Sequence, residues 1–126
     1  MHPDKIKNIL NLSSVERYGY LIRKVADFEE VWLIKDINGY VRLGDKNENI
    51  QIPVFPEEDF AKLFITGDWE NCTIEKINVD NFIKWLGDLG NANVKIAGFP
   101  STELNSVVVT ADEIKNHLFS EMQQYD

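Results

Sequence analysis

The chain has 126 residues, 44% of them hydrophobic and 27% charged, with 13 Lys or Arg against 21 Asp or Glu for a net charge of −8. This is the composition of one globular domain that can bury about two-thirds of its unfolded surface, and its single cysteine, Cys72, excludes an intrachain disulfide and a cysteine-based zinc site. No apolar run reaches the roughly 20 residues of a membrane helix and no basic-then-apolar leader opens the chain, so a cytoplasmic location is expected.

Pro3 and Asp4 open a short helix with Ile6, Ile9 and Leu10 on one side, a helical extension over 1–12 of the single domain. Ser13 and Glu16 have capping-box spacing. Behind them Val15, Tyr18, Leu21, Ile22, Val25 and Phe28 recur with a helical period. Residues 30–35 read as a strand carrying Val31, Trp32, Leu33 and Ile34. Asn38-Gly39 then marks a hairpin turn into a partner strand over 40–43. A polar loop over 44–49 leads to a third strand over 50–55. Pro56 suits the first position of a helix, with Glu57, Glu58 and Asp59 at its positive end and Phe60, Ala61, Leu63 and Phe64 on its buried side. Thr66-Gly67-Asp68-Trp69 is a loop, and 74–79 reads as a strand. Asp80 can cap a helix carrying Phe82, Ile83, Leu86 and Leu89, with Gly87 and Gly90 at its frayed end. Strands over 93–99 and 106–109 flank a turn. Thr110 and Glu113 form a second capping-box pair before a helix with Ile114, Leu118, Met122 and Tyr125 on one stripe. This order predicts an α+β domain, with a mixed, mostly antiparallel sheet of five to six strands covered by helices.

The charge is uneven. Residues 1–44 carry 7 basic and 6 acidic side chains; residues 45–126 carry 6 and 15, a net of −9. Such a surface repels phosphate backbones and anionic lipid, so nucleic acid and membranes are not expected partners, whereas a basic protein would be steered toward it.

The catalytic inventory is thin, and no catalytic residue, metal or cofactor is expected. His2 lies at a terminus, and His117 lies one helical turn from Glu113 and Glu121, where an ordinary surface pair accounts for it. Acidic neighbours of Cys72 disfavour its thiolate. Glu57, Glu58 and Asp59 are consecutive on a helix and point in different directions, so they do not converge on a cation. Two groups of residues remain as candidates. Arg17, Tyr20, Lys24 and Asp27 share a helical stripe opposite the apolar one and could hold an anion or a partner surface, although a local Tyr20–Lys24 contact on a solvated face explains them as well. Glu57, Glu58, Asp59 and Asp68 could form an acidic partner surface with Trp69 as anchor, although a loop tryptophan more often covers the core. Trp32 reads as core and Trp85 as partly exposed.

Glu16-Arg17-Tyr18, Tyr20, Arg23-Lys24-Val25-Ala26-Asp27 and Val31-Trp32 resemble the opening of an uncharacterised bacterial family, domain of unknown function 2750. Gly39-Tyr40, Ile52-Pro53-Val54-Phe55-Pro56, Thr66-Gly67-Asp68-Trp69, Phe82 with Trp85-Leu86, Phe99-Pro100 and Val107-Val108-Val109 continue the resemblance over about 13–125. Position 55 is Phe where the family pattern has tryptophan. The resemblance implies a single small cytoplasmic α+β domain and implies no activity. The strand-Pro-Val-Phe-Pro-helix unit is similar, more weakly, to a secretion-associated family named after an enhanced-serine-sensitivity protein.

Two functional readings follow. The first is a non-enzymatic protein-binding module, one version of which is an immunity-like protein neutralising a basic toxin. The alternative is a small-molecule (anion) binding protein, or an enzyme without a recognisable motif, using Arg17, Tyr20 and Lys24. That alternative requires the stripe to line a concave pocket.

Overall fold

In the computed structural model, which describes residues 1–44 and 49–125 without the side chains of Asp68 and Tyr125, the chain runs in the order α1 (Pro3–Leu10), α2 (Ser14–Phe28), β1 (Glu30–Asp36), β2 (Gly39–Tyr40), β3 (Gln51–Val54), α3 (Glu58–Lys62), β4 (Thr73–Asn78), α4 (Val79–Asn91), β5 (Lys95–Gly98), β6 (Val107–Val109) and α5 (Ala111–Met122). The fold is α+β, with six strands among the described residues. Most of the loop expected over 44–49, and the place of Tyr125 on the last stripe, lie outside the described residues.

The helix starts follow from local hydrogen bonding. Ser13 Oγ accepts from the Glu16 N–H while Glu16 accepts from the Ser13 N–H, and Thr110 and Glu113 repeat the exchange at α5. Two expected starts move. The helix α4 begins at Val79, its cap two residues before the expected Asp80, because Asn78 Oδ1 takes the Asn81 N–H at 2.8 Å. It also runs on to Asn91, so Gly87 and Gly90 lie inside it rather than at its end. Helix α3 begins at Glu58, past Pro56, with Glu57 at its cap position and no side-chain cap bond.

The strands form two sheets instead of one. β1 is flanked by β2 and β4, all antiparallel; β5 is flanked by β3, parallel, and by β6, antiparallel. One residue pair joins them: Trp32 and Phe55 exchange backbone hydrogen bonds at 3.0 and 2.8 Å. A proline and the hairpin together explain the break. Along β3, Ile50 and Val54 bond toward β5, so Gln51, Pro53 and Phe55 face the other way. Gln51 meets Leu43 and Phe55 meets Trp32; between them Pro53 has no N–H to give, and Ile34, the β1 residue it would face, already accepts from the Val41 N–H. The hairpin is also shorter than expected. Ile37 and Asn38 occupy its tip, Asp36 Oδ1 accepts from the Asn38 N–H, and Gly39 takes the positive φ of 123° as the first strand residue. Past Tyr40, only Val41 continues the pairing, donating to Ile34.

One contiguous core lies between the sheets and the helices. Phe55, Phe60, Phe82 and Phe99 are its largest fully buried members, joined by Leu21, Leu33, Ile52, Leu86, Ile96, Ile114 and Leu118. Ile9 carries α1 into the same cluster. At Gly98 the Tyr18 ring lies so close that a Cβ would sit 2.6 Å from it, so only glycine fits between β5 and α2. The apolar period of α2 is imperfect: Val15 is 73% exposed and Phe28 also faces solvent, while Arg17, expected on the solvated side, is buried. Leu63 likewise faces out from α3.

Candidate functional site

The organising residue is Arg17. It enters the interior at the first turn of α2 and is 4% exposed. Its guanidinium donates through Nε to the Phe99 carbonyl at 3.2 Å, through Nη1 to the Leu12 carbonyl at 2.6 Å, and through Nη2 to Ser14 Oγ at 3.3 Å and the Asn105 carbonyl at 2.6 Å. All four acceptors are neutral, and among the described residues no carboxylate pairs with it. Burial lowers its pKa from the ordinary value, but an arginine in this setting stays charged. Arg17 therefore ties three separate stretches of backbone, 12, 99 and 105, to α2.

The tie at Asn105 holds the 101–105 loop. Within that loop the Ser101 N–H donates to the Asn105 carbonyl at 2.9 Å, the Leu104 N–H donates to the Ser101 carbonyl at 2.8 Å, and Ser101 Oγ accepts from the Glu103 and Asn105 N–H groups. Leu104 sits at φ 66°, a left-handed conformation that costs a leucine about 1 kcal/mol or more, and is 47% exposed. Beside it lie Leu63, Phe64, Thr66, Trp69 and Thr102, lining a groove of about 310 Å³. Trp69 is half-buried and stacks on Phe64, with ring centroids 5.9 Å apart and planes 28° apart. The other side of the loop borders a polar cleft of about 540 Å³ lined by Asn11, Ser13, Ser14, Arg17, Ser101 and Ser106, among others.

The structure separates the four residues of the expected stripe. Arg17 is spent on carbonyls. The Tyr20 hydroxyl donates to Glu57, its ring packs at 6.3 Å from Phe60 and 6.0 Å from Phe99, and burial and then Glu57 push its pKa up. Lys24 lies over the Tyr20 ring at 5.5 Å and the Phe28 ring at 5.2 Å, the local contact that a solvated face predicts. Asp27 is exposed. Of the four, only Arg17 lines the cleft.

The acidic residues do not converge either. Glu57 is engaged by Tyr20, Glu58 by Lys62 at 3.3 Å, and Asp59 by the Met1 amino group at 3.4 Å. The side chain of Asp68 lies outside the described residues. His117 departs from the expected pairing with its own helix: its Nδ1 shares a hydrogen bond with the Tyr18 hydroxyl at 2.6 Å, linking α5 to α2. Burial and then Glu113 raise the Tyr18 pKa. Burial raises the Cys72 thiol as well, with Asp36, just past the Lys35–Thr73 end of the β1–β4 ladder, as the acidic contributor instead of its chain neighbours. Trp32 is half-buried under Lys76 at 5.9 Å, and Trp85 is half-buried against Tyr40 with centroids 4.9 Å apart. Among the described residues no group of three or more His, Cys, Asp or Glu could hold a metal ion. No helix of the described residues is long and apolar enough to cross a membrane.

Sequence reasoning missed Arg17 as an interior residue, and it missed the groove. The partners of Arg17 at 99 and 105 lie 82 and 88 residues away, which no local pattern encodes. A family model described as protein of unknown function (DUF2750) matches residues 18–118, from Tyr18 through Trp69 and the 101–105 loop to the last helix. No curated protein and no solved structure matches the chain.

Proposed function

We propose that this chain, which belongs to the DUF2750 family of proteins of unknown function, is a protein-binding module whose contact surface is the groove between Leu63, Trp69 and Leu104. The observation that carries the reading is Leu104. It is held at positive φ and 47% exposed, so the loop's hydrogen bonds fix an apolar side chain at the surface beside Leu63 and Trp69. A partner's apolar side chain seated beside it would cover that surface. Leu63 and Trp69 supply the remaining walls.

The charge selects the partner. Glu70 follows Trp69 and Glu103 precedes Leu104 in the chain; both are exposed, and among the described residues neither is ion-paired. With a net charge of −8 behind them, the partner of best fit is a basic protein presenting an apolar anchor between Lys or Arg side chains. The acidic contribution then comes from these chain neighbours of the groove, since Glu57, Glu58 and Asp59 have intramolecular partners. Neutralisation of a basic toxin, the immunity-like role, is one form that such a module takes.

Affinity purification at low salt from the organism that encodes the chain, read by mass spectrometry, tests this. The expected result is a stoichiometric basic protein that is released by salt and lost with Leu104→Asp. Failure to capture a partner at low salt, or capture indifferent to Leu104→Asp, overturns the reading.

A further inference from the structure

The cleft on the other side of the 101–105 loop has a chemistry of its own. Five hydroxyls line it: Ser13, Ser14, Ser101, Thr102 and Ser106. Three of them are already committed, and all in the same sense. Ser13 Oγ accepts from the Glu16 N–H, Ser14 Oγ accepts from Arg17, and Ser101 Oγ accepts from two backbone N–H groups. A hydroxyl has one proton to give and two lone pairs to receive with. Ser101 has filled both lone pairs and Ser13 and Ser14 one each, none of the three donates to an acceptor among the described residues, and the Thr102 and Ser106 hydroxyls make no hydrogen bond there. The cleft is therefore lined by hydroxyl protons that no acceptor among the described residues takes.

The base of the cleft adds a charge. Arg17 donates four of its five N–H groups to neutral acceptors, so its hydrogen-bonding capacity is mostly spent while its positive charge has no carboxylate beside it. Its fifth N–H, on Nη1, has no acceptor among the described residues. Among the described residues Glu103 is the single carboxylate lining the cleft, and it is exposed. A ring of donors over a buried cation matches an acceptor-only ligand carrying negative charge. The volume, about 540 Å³, exceeds what a bare oxyanion fills and leaves room for the molecule that carries it.

We propose that this cleft binds a small molecule through a phosphate group, which the Ser13, Ser14, Ser101, Thr102 and Ser106 hydroxyls donate to and the Arg17 charge attracts. The site shares Thr102 with the Leu63–Leu104 groove, but Ser106 lines the cleft alone and Leu104 the groove alone, so variants of those two residues test them independently.

The test is titration of the whole chain with inorganic phosphate and, in a second arm, ribose 5-phosphate, both at constant ionic strength in chloride. Binding is followed by the amide and arginine Nε resonances. Saturable shifts confined to residues 13–17 and 101–106 are expected. Ser106→Ala, which removes a hydroxyl with no structural partner, should weaken binding about 5-fold. Glu103→Gln, which removes the one opposing charge, should strengthen it about 3-fold. Tighter binding of the ester identifies a phosphorylated metabolite as the ligand, and tighter binding of inorganic phosphate identifies the free ion. Shifts that do not saturate, shifts that spread over the whole surface, or affinity unchanged by both variants would show that Arg17 is a structural tie alone and overturn the proposal.

Discussion

Arg17 is a charged residue at a buried position, and its worth lies in what its removal would leave behind. Removing it strands the carbonyls of Leu12 and Phe99 and leaves that of Asn105 with the Ser101 N–H alone, and each buried group left unpaired costs about 1–3 kcal/mol less whatever water can recover. Arg17→Met should therefore lower stability by about 3 kcal/mol in urea unfolding and should expose the 101–105 loop to proteolysis before the rest of the chain. Resistance to cleavage in that loop would show that the Asn105 tie is dispensable. A second consequence at this scale concerns the phenols. Tyr18 and Tyr20 have raised pKa values, first because both are buried and then because of Glu113 and Glu57 respectively. A raised folded value means that the folded state holds the phenolic proton more tightly. Their contribution is complete below the unfolded value of about 10 and is lost as pH rises above it. The folded chain at about pH 10.5 should show less phenolate absorbance than the denaturant-unfolded chain, in which all four tyrosines titrate freely. Equal absorbance with the fold intact would sink this account.

Among the elements, what was legible in the sequence divides along the range of the interactions. The caps at Ser13 and Thr110 are three-residue exchanges, and both form as their spacing implies. Helix α4 was placed two residues late because Asn78 and Asp80 are equally good cap residues by type. A long-range fact decides between them: the β1–β4 ladder ends at Glu30 opposite Asn78, and the Val79 N–H donates back to the Glu29 carbonyl at 2.9 Å. Once the ladder is spent the chain is free to turn, and the first side chain available is that of Asn78. Asn78→Ala should thus cost about 1 kcal/mol, and Asp80→Ala only a few tenths, from its favourable place in the first turn. The reverse ranking in thermal unfolding would return the cap to Asp80. The candidate stripe failed for a related reason. The spacing of Arg17, Tyr20, Lys24 and Asp27 is real, but Tyr20 is drawn inward by Phe60, Phe99 and Glu57, and Arg17 by backbone far along the chain. Helical periodicity says which residues share a face; it does not say whether that face meets solvent.

The whole molecule turns on the seam between its sheets. Along the edge of β1, Phe55 bonds Trp32, while the next position, Ile34, is taken by Val41 of the hairpin and faces Pro53, which has no N–H to give. Among the described residues, the two three-stranded sheets therefore share a single residue pair of backbone bonds. Three-stranded sheets of such short strands are marginal by themselves, so cohesion has to come from side chains. It does: residues of both sheets and of α1, α2, α3, α4 and α5 belong to one buried cluster, in which Phe55 of the linking pair packs 4.9 Å from Phe64. Neither sheet could expose its face of that cluster without exposing the other's. The two should unfold together. Tryptophan fluorescence, which reports from Trp32 in the first sheet, Trp69 beside α3 and Trp85 on α4, and backbone circular dichroism, which reports on all elements, should give one coincident urea transition. Phe55→Ala, which leaves the backbone bonds of the bridge in place and empties the middle of the cluster, should move both probes equally, by about 3–5 kcal/mol. If the probes separated in that variant while the bridge persisted, the two sheets would be held by their shared residue pair and not by the core.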